Sequence, residues 1–592
     1  MKNKNQTNKS LLFSVAFIIC LLHKPYSQQI SLNPNIVLIM VDDSGWGDFA
    51  SNGNLWVTTP NIDQIRQDGL MINRFYVSPL CAPTRASLLT GRYHLRTGTA
   101  GVTHGMETMR SEEITIAEVF RDAGYDTGIF GKWHNGAHYP ENPLGQGFNE
   151  FFGFCAGHWS NYFNTKLQHN NQMINTNGYI TDVLTDAALK FIETNNSNPF
   201  FCYIPYNAPH NPYQVPDKYL NKYKKTNLPV KDKVVYGMID NIDENIGRVI
   251  KKLHELKLTG NTIVIFLSDN GPVTDRYNGN MKGKKGTVDE GGVRVPFFIK
   301  WPGHIQRGSN IERIAAHIDI LPTLAELAGI KIPENDLLDG KSLVPLINNR
   351  NAEWPERAIF TQVYRDNKLK PAPGAIRSSQ YRFVIDKNED ELLYDMVSDP
   401  DQKKDIAALK PEMVKEYRQK YDTWFKEVIK NGIHREITKV GFTNSPVIEL
   451  YAPDISYKDG VVFTEGQHGW AHDWLIGWNT SKDIAEWTIE VVKQGEFEID
   501  LKYNCSDNYK GRSIRISIGG QKLSRVLNES FTGKLIPSPD RVKRIEAYQK
   551  DWGLFTMGKV KLKLGTYKLR VQSIGKEVTG KLELKSLIIH QL

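Results

Sequence analysis

Acidic and amide side chains follow closely after two apolar runs of the sequence. Asp42-Asp43 comes after the apolar run 35–41, and Asp269-Asn270 comes after the apolar run 262–267. Three carboxylates and one amide carbonyl make a hard oxygen ligand set, which suits Ca²⁺ or Mg²⁺ better than a soft metal. Either pair alone would more simply cap a helix or form a turn. Two pairs that both follow strand-like runs favour a single metal site.

Basic side chains follow two further apolar runs. Lys132 and His134 come after the run 125–130, and His210 comes after the run 200–204. Histidine exchanges protons near neutral pH, and lysine stabilises negative charge that develops in a reaction. A single histidine is more often structural. Here, however, the histidines follow strand-like runs, and ligands of open α/β sheets bind beyond the carboxyl ends of the strands. Four such strand ends therefore predict one site that combines a metal ion with acid–base groups.

Cys81 begins the segment Cys81-Ala82-Pro83-Thr84-Arg85, which resembles the signature of the sulfatase family. In this signature a cysteine or serine is converted to formylglycine, and proline and arginine follow at fixed offsets. The pattern is short enough to recur by chance, but four further segments resemble the family in the same order. They are Thr59-Pro60-Asn61-Ile62-Asp63, Gly131-Lys132-Trp133-His134, Ala208-Pro209-His210 and Glu290-Gly291-Gly292-Val293-Arg294. The resemblance runs from Asn35 to about Asp405.

The resemblance implies an α/β fold of the alkaline-phosphatase type with a large mixed sheet. It implies an enzyme that hydrolyses sulfate esters of a carbohydrate, either a sulfated polysaccharide or its oligosaccharides. It also implies one calcium ion and the conversion of Cys81 by a formylglycine-generating enzyme. The implied calcium ligands are Asp42, Asp43, Asp269, Asn270 and the modified Cys81. The alternative for Cys81 is a small buried residue without a chemical role.

The hydrated aldehyde that the resemblance implies at position 81 carries two hydroxyl groups on one carbon. One hydroxyl would attack sulfur, and the metal ion would favour the loss of its proton. The second hydroxyl would then lose its proton to His134, and collapse to the aldehyde would expel sulfate. A serine would stay sulfated, which explains why this residue is modified.

Four basic residues complete the site that the resemblance implies. Arg85 would hydrogen-bond residue 81 and help to hold the metal ligands. Lys132 and Lys285 would bind sulfate oxygens whose charge changes in the transition state. His210, assisted by Lys285, would protonate the departing sugar oxygen. Two other lysines lie within three residues of Lys285 and are alternatives to it.

The sequence pattern divides the mature chain into three parts. Strand-like runs alternate with helical stretches over residues 28–355, which predicts the catalytic α/β domain. Residues 356–440 predict a smaller α+β subdomain that ends with a helix, because apolar residues recur at helical spacing over 413–428. Apolar and polar residues then alternate in short runs between glycines, which predicts an added all-β sandwich domain over residues 441–592.

Aromatic residues of the predicted sandwich could stack on sugar rings and target the enzyme to a polymer. They are Trp470, Trp474, Trp478 and Tyr503. Core packing is an equal alternative, because buried aromatics dominate sandwich cores. Candidates for substrate contacts at the rim of the catalytic pocket are His138, Tyr139, His158, Trp159 and Arg377. Arg377 could equally be a solvated surface residue, and Asp319 is expected only to start a helix.

Residues 1–27 have the layout of a signal peptide. Lys2, Lys4 and Lys9 precede an apolar run that is too short to cross a membrane comfortably, and cleavage is expected after Ser27. We therefore expect export to the periplasm or the cell exterior, with no membrane span. The net charge of +8 on 592 residues argues weakly for a polyanionic partner, and we expect no nucleic acid because its recognition motifs are missing.

Two other functions stay open from the sequence. A phosphoryl or phosphonate ester hydrolase could have the same fold and the same Cys-x-Pro-x-Arg pattern, although lysines and histidines around a single metal ion favour sulfate. A non-catalytic glycan-binding protein could keep the fold with a retired site. The chain has all the implied metal ligands and both histidines, which argues against a retired site.

Overall fold

A computed structural model describes residues 33–333, 338–364, 368–464, 468–575 and 580–592 of the chain. The predicted signal peptide lies outside these ranges. Within them, no helix combines the length and the apolar character that crossing a membrane requires. The cysteines in these ranges, which are Cys81, Cys155, Cys202 and Cys505, are buried and have free thiols.

A ten-stranded mixed sheet forms the centre of the N-terminal part of the chain. Its strands are β1 (Asn35–Val41), β2 (Leu70–Tyr76), β3 (Asp126–Lys132), β4 (Glu150–Phe154), β5 (Lys166–His169), β6 (Gln172–Asn175), β7 (Phe200–Pro205), β8 (Thr262–Ser268), β9 (Phe297–Lys300) and β10 (Ser309–Ala316). The order across the sheet is β10-β2-β9-β8-β1-β7-β3-β4-β5-β6.

The four strands that precede the candidate residues are neighbours in this sheet. β8, β1, β7 and β3 lie side by side in this order and pair in parallel. β1, β7 and β8 are buried along their whole length, as expected where helices cover both faces of a parallel sheet. The carboxyl ends of all four strands therefore meet at one edge, which confirms the predicted convergence.

Helices cover both faces of the sheet. They are α1 (Pro60–Asp68), α2 (Cys81–Thr90), α3 (Ile116–Asp122), α4 (Ile180–Thr194), α5 (Asp217–Leu220), α6 (Val230–Glu255), α7 (Glu290–Val293), α8 (Ile320–Leu327) and α9 (Val344–Asn348). Successive side chains of β1 enter two different cores. Val37 and Ile39 pack with α1, α4 and α6, whereas Ile36 and Leu38 pack with α2, α3 and α8. This layering confirms the predicted α/β class.

A four-stranded antiparallel sheet with one covering helix follows. Its elements are β11 (Ile359–Gln362), β12 (Gly374–Arg377), β13 (Tyr381–Ile385), β14 (Glu391–Asp395) and α10 (Pro411–Val428). Tyr421 and Trp424 of α10 share a core with Ile376 and Phe383 of the sheet. The strand-like runs 358–362 and 381–385 of the sequence predict β11 and β13, and the helical spacing over 413–428 predicts α10. The sequence pattern does not predict the short strands β12 and β14.

Two six-stranded sheets with one shared core form the C-terminal region. Their strands are β15 (Thr438–Val440), β16 (Val447–Tyr451), β17 (Tyr457–Asp459), β18 (Val462–Phe463), β19 (Leu475–Ile476), β20 (Ile484–Val491), β21 (Gly495–Cys505), β22 (Ser513–Ile518), β23 (Gln521–Val526), β24 (Gly553–Leu562), β25 (Gly565–Ile574) and β26 (Leu582–Gln591). β15 pairs in parallel with β20, a departure from the antiparallel sandwich that the sequence predicts. The added β-sandwich of the predicted fold is present.

Most of the sandwich aromatics that could stack on sugars are buried instead. Trp474, Trp478 and Tyr503 are only 5%, 1% and 4% exposed. Trp470 is half-buried, and its ring stacks on His468 with the ring centroids 4.3 Å apart. The sugar-stacking interpretation of the three buried residues is wrong, because residues that are at most 5% exposed offer no open ring face to a sugar.

Candidate active site

The acidic candidate residues lie together at the carboxyl edge of the sheet. Asp42 and Asp43 follow β1, Asp269 and Asn270 follow β8, and none of the four is more than 2% exposed. Asn270 Nδ2 donates to Asp43 Oδ1 over 2.9 Å, and Asp43 N donates to Asp269 Oδ1 over 3.2 Å. The φ angle of Asp43 is 67°, a left-handed conformation that is uncommon outside glycine and clusters at functional sites.

Two buried cations, Arg85 and Lys132, pair with these acids. Arg85 Nη2 of α2 donates to Asp269 Oδ2 at 2.8 Å and to Asp42 Oδ2 at 3.2 Å. Lys132 Nζ, at the end of β3, donates to Asp42 Oδ2 at 2.6 Å. Burial raises the pKa of Asp42, but Lys132 and the other nearby cations outweigh it and hold that pKa well below its usual range. Asp42 is therefore ionised.

Three oxygen atoms of the acidic cluster have no hydrogen-bond partner. Asp42 Oδ1, Asp43 Oδ2 and Asn270 Oδ1 are buried and unpartnered within the described part of the chain. Polar atoms buried in this way are costly and rare. Burial and the charge of Asp42 raise the pKa of Asp269 to about 7. The ionised form of Asp269 is therefore destabilised as long as no cation is present. A hard divalent cation would remove both costs, and the oxygen donors fit calcium or magnesium.

His210 lies beside these acids with a defined ring orientation. One ligand atom each of Asp42, Asp43 and His210 lies within 4.8 Å of the others. His210 Nδ1 is 2.7 Å from Asn211 O, and Nε2 is 3.8 Å from Asp43 Oδ2. Because a carbonyl oxygen only accepts, Nδ1 is the donor and Nε2 is the nitrogen that faces the acids. Burial lowers the pKa of His210, and the charge of Asp43 opposes that change.

His134 has the opposite arrangement of its ring nitrogens. His134 Nε2 lies 2.9 Å from Val102 O and donates to it, so the lone pair is on Nδ1. Nδ1 is buried and has no partner among the described residues. Burial, reinforced by Lys132, lowers the pKa of His134 well below its usual range, so the ring is neutral. A neutral imidazole with a free lone pair can accept a proton.

Lys285 is the one of three neighbouring lysines that contacts the acidic cluster. Its Nζ lies 2.5 Å from Asp43 Oδ1. Lys282 donates to a tyrosine hydroxyl, and Lys284 pairs with an exposed aspartate. Lys285 therefore adds a third cation at the acids, while the two alternatives point elsewhere.

Cys81 is the first residue of α2 and is 3% exposed. The N-terminus of a helix carries partial positive charge, which favours an anion beside it. Burial nevertheless raises the pKa of the Cys81 thiol, although Lys132 and Lys285 act in the opposite direction. The thiol is therefore protonated at neutral pH, and a protonated thiol is a poor nucleophile.

Comparison with protein-family models identifies the family that has this arrangement. The family model described as "Sulfatase" matches residues 34–330, about half of the 592-residue chain. The chain belongs to the sulfatase family. A second model, described as "N-sulphoglucosamine sulphohydrolase, C-terminal", matches residues 284–427 of this sulfatase.

Individual relatives agree with the family match. The sulfatase is 33% identical over 387 residues to the N-acetylgalactosamine-6-sulfatase of Mus musculus. This alignment covers 59% of this chain and 71% of the mouse protein. A solved structure of Ps i-CgsB with k-i-k-neocarrahexaose is 29% identical, with a TM-score of 0.64 over 68% of this chain and 95% of that chain. The phosphonate monoester hydrolase of Agrobacterium radiobacter shares the fold at 22% identity and a TM-score of 0.55, over 67% of this chain and 96% of its own. The protein is a sulfuric ester hydrolase with an alkaline-phosphatase-like fold.

Glu290, the first residue of the fifth segment that resembles the family, forms buried ion pairs with two arginines. Glu290 is 1% exposed and accepts hydrogen bonds from Arg382 Nη2 at 2.6 Å, Arg377 Nε at 3.3 Å and Tyr76 OH at 2.8 Å. Arg377 is thus a buried partner of Glu290. The sequence-based interpretation of Arg377 as a solvated residue is wrong, because Arg377 is 3% exposed and pairs with Glu290. Its interpretation as a substrate contact stays a prediction.

Replacing Glu290 with alanine should lower the free energy of unfolding by about 3–5 kcal/mol, because two buried guanidinium groups would lose their counter-charge. Burial raises the pKa of Glu290, but Arg377 and Arg382 outweigh it and lower that pKa from 4.5 to about 2. The stabilisation is therefore present above pH 4.5 and is lost as the pH falls toward 2. Urea unfolding across this pH range checks the prediction, with the exposed Glu326→Ala as control. Equal stability of the two variants at neutral pH would contradict it.

One of the five predicted rim residues lies beside a candidate catalytic group. The ring of His158 is parallel to that of His210, with centroids 6.5 Å apart. His138 and Tyr139 contact side chains of the C-terminal region, and Trp159 stacks on a phenylalanine of β4. These last three residues contribute to packing between segments, and their assignment as rim residues stays a prediction.

Two polar residues hold the backbone near their positions. Asn135 Nδ2 donates to Ala82 O at 3.1 Å and ties the loop after β3 to the start of α2. Sequence reasoning missed Asn135, although its position directly after His134 could have indicated a role at the site. Asp319 Oδ2 accepts a hydrogen bond from Ala316 N at 2.8 Å at the start of α8, which confirms its predicted structural role.

Proposed function

We propose that this sulfatase hydrolyses sulfate esters of a sulfated polysaccharide or its oligosaccharides, using formylglycine formed from Cys81 and one calcium ion. The observation that carries the proposal is the set of buried, unpartnered oxygens of Asp42, Asp43 and Asn270. They belong to the same acidic cluster whose charges act on the Cys81 thiol. A site that needs a cation and holds an inert thiol fits a modified cysteine better than a thiolate nucleophile.

Asp42, Asp43, Asp269 and Asn270 would hold the calcium ion, with the modified residue 81 as a further ligand. The ion would supply positive charge and the hydrated aldehyde a hydroxyl nucleophile for sulfur. Arg85 Nη2 restrains Asp42 and Asp269, and its Nε is buried without a partner among the described residues. The guanidinium of Arg85 thus keeps N–H groups that could make the predicted contact with residue 81.

The remaining side chains would bind sulfate and move protons. Lys132 and Lys285 bring two ammonium groups to the acids, where they would offset the charge of sulfate oxygens. His134 would accept a proton at Nδ1, the nitrogen with the free lone pair. His210 would hold a proton at Nε2 and donate it to the departing oxygen, while Nδ1 stays bonded to Asn211 O.

Two of the similar proteins support a carbohydrate substrate. One is named for N-acetylgalactosamine 6-sulfate chemistry, and the other was solved with a neocarrahexaose. The net charge of +8 also fits an anionic polymer. The proposal includes conversion of Cys81 by a formylglycine-generating enzyme and export after removal of residues 1–27, to the periplasm or the cell exterior. It divides the mature chain into a catalytic domain (28–355), a subdomain (356–440) and a sandwich (441–592).

Parallel assays on an aryl sulfate and an aryl phosphate test this function against its main alternative. We expect faster turnover of the sulfate, because three cations and two histidines surround one candidate metal site. A preference for phosphate would support the phosphoryl or phosphonate hydrolase instead. Binding of sulfated glycans without turnover of either ester would support the glycan-binding alternative.

His210→Ala should damage hydrolysis of a sugar sulfate far more than hydrolysis of an aryl sulfate. A sugar alkoxide needs protonation as it leaves, whereas a phenolate needs little, and general acids contribute about 10²–10⁴-fold. Measured kcat for both esters checks this, with the exposed His254→Ala of α6 as control. Equal losses on both substrates would show that His210 positions the substrate and does not act as the acid.

A further inference from the structure

An arm of the C-terminal sandwich reaches the segment that carries His210. We define the arm as residues 527–552, the connection between β23 and β24. A backbone amide of the arm donates to Tyr213 O at 2.9 Å. Gln214 Nε2 donates to Asp540 Oδ1 of the arm at 2.7 Å. The arm is therefore bonded to the third and fourth residues after His210, although more than 300 residues of sequence separate the two segments.

Glu546 is the arm residue that connects with His210 through one intermediate residue. Asn211 Nδ2 donates a hydrogen bond to Glu546 Oε1. Asn211 O accepts the hydrogen bond from His210 Nδ1 at 2.7 Å, and the Tyr162 hydroxyl lies 3.0 Å from the same carbonyl oxygen. Asn211 is thus held at its side chain and at its carbonyl, and that carbonyl sets the direction of the imidazole.

The charge of Glu546 also belongs to the electrostatic surroundings of the site. Burial lowers the pKa of Lys231, and the charges of Asp43 and Glu546 both oppose this change. Lys231 Nζ lies over the ring of Tyr213 at 4.7 Å, and Tyr213 is three residues after His210 in the sequence. The charge of Glu546 therefore acts on the same lysine as the charge of Asp43.

We infer that Glu546 is a positioning residue: it holds Asn211, and through Asn211 O it fixes the His210 ring for proton donation to the leaving sugar. The inference rests on the proposed acid role of His210. If Asn211 shifts, its carbonyl turns the imidazole and moves Nε2 away from the departing oxygen. The sandwich is then part of the catalytic assembly. Deleting residues 441–592 would remove this contact, so it would not separate targeting from catalysis.

The first test compares Glu546→Ala with Glu546→Gln in the full-length mature protein. Glu546→Ala should lower kcat for a sugar sulfate by about 10–100-fold, because small misplacement of a reacting group is costly. The loss on an aryl sulfate should be much smaller. Glu546→Gln keeps an acceptor oxygen and should restore most of the sugar-sulfate activity. The exposed Glu529→Ala of the same arm is the matched control and should behave like the parent.

A double-mutant cycle tests whether Glu546 acts through Asn211. In the Asn211→Ala background, Glu546→Ala should cause no further loss of kcat, because the connection is already broken. A role of Glu546 that does not pass through Asn211 would instead give additive losses. A purely structural role would give equal losses on both ester types. Either of these results, or equal activity of Glu546→Gln and Glu546→Ala, would overturn the inference.

Crystal structures of the parent, Glu546→Ala and Glu546→Gln decide the question independently of activity. The His210 ring should keep its orientation in the parent and in Glu546→Gln, and it should be displaced or disordered in Glu546→Ala. An unmoved ring in Glu546→Ala would overturn the positioning role. If the parent turned over no sulfate ester, the proposed function would fail while this readout still decided the role of Glu546. If Glu546→Ala is insoluble, Asn211→Ala provides the same structural test.

Discussion

Cys81→Ala should lose sulfate-ester hydrolysis by about 10⁴-fold or more, because alanine cannot supply the nucleophile and nothing else in the site replaces it. The fold should survive. Cys81 is a small residue at the start of α2, and alanine keeps the helix and fills most of the same volume. Turnover of a sugar sulfate and of an aryl sulfate should fall together, because the nucleophile acts on both.

Cys505→Ala, in the core of the sandwich, is the matched control for loss of a buried thiol. It should keep its activity. Thermal unfolding of both variants separates loss of chemistry from loss of structure. Parent-like turnover by Cys81→Ala would end the formylglycine proposal.

Treatment with a chelator should lower activity by about 100-fold or more and should also lower the melting temperature. Without a cation, three carboxylates repel one another in a buried site, and the unpartnered oxygens of Asp42, Asp43 and Asn270 stay unsatisfied. Added calcium should restore both properties, whereas zinc should not, because the ligands are hard oxygens.

A matched pair of aspartate variants locates the metal effect. Asp269→Asn should raise the calcium concentration needed for activity, because it removes a buried carboxylate from the cluster. Asp275→Asn, six residues further and exposed, should not change it. Full activity after thorough chelation, or metal analysis that finds two zinc ions, would contradict the calcium site.

The catalytic edge of the sheet could be predicted because local pattern and a general rule sufficed. The runs 35–41 and 262–267 are apolar enough to mark buried strands, and parallel neighbours must deliver their carboxyl ends to one edge. The polar residues that follow could therefore be placed together from the sequence. The ring orientation of His134 and the unpartnered oxygens of the acids could not be predicted in this way. The His134 ring, for example, is oriented by the carbonyl of Val102, 32 residues away in the sequence.

Contacts between remote segments account for what the sequence did not predict. Arg377 and Glu290 are 87 residues apart, and Asn211 and Glu546 are 335 residues apart. No periodicity marks such pairs, so Arg377 looked like a surface or substrate residue. Trp474 and Trp478 lie beside a very short strand, where the alternation of apolar and polar residues does not show which side chains are buried. Burial of these rings follows only from the packing of both sheets.

The mass of the Cys81 peptide, measured on active protein purified from a cell with a formylglycine-generating enzyme, tests the central proposal most directly. We predict a peptide that has lost the cysteine sulfur and carries an aldehyde or its hydrate, in proportion to the specific activity of each preparation. A carbonyl-reactive reagent should label the same peptide. Full activity in protein whose Cys81 is entirely an unmodified thiol would contradict the proposal.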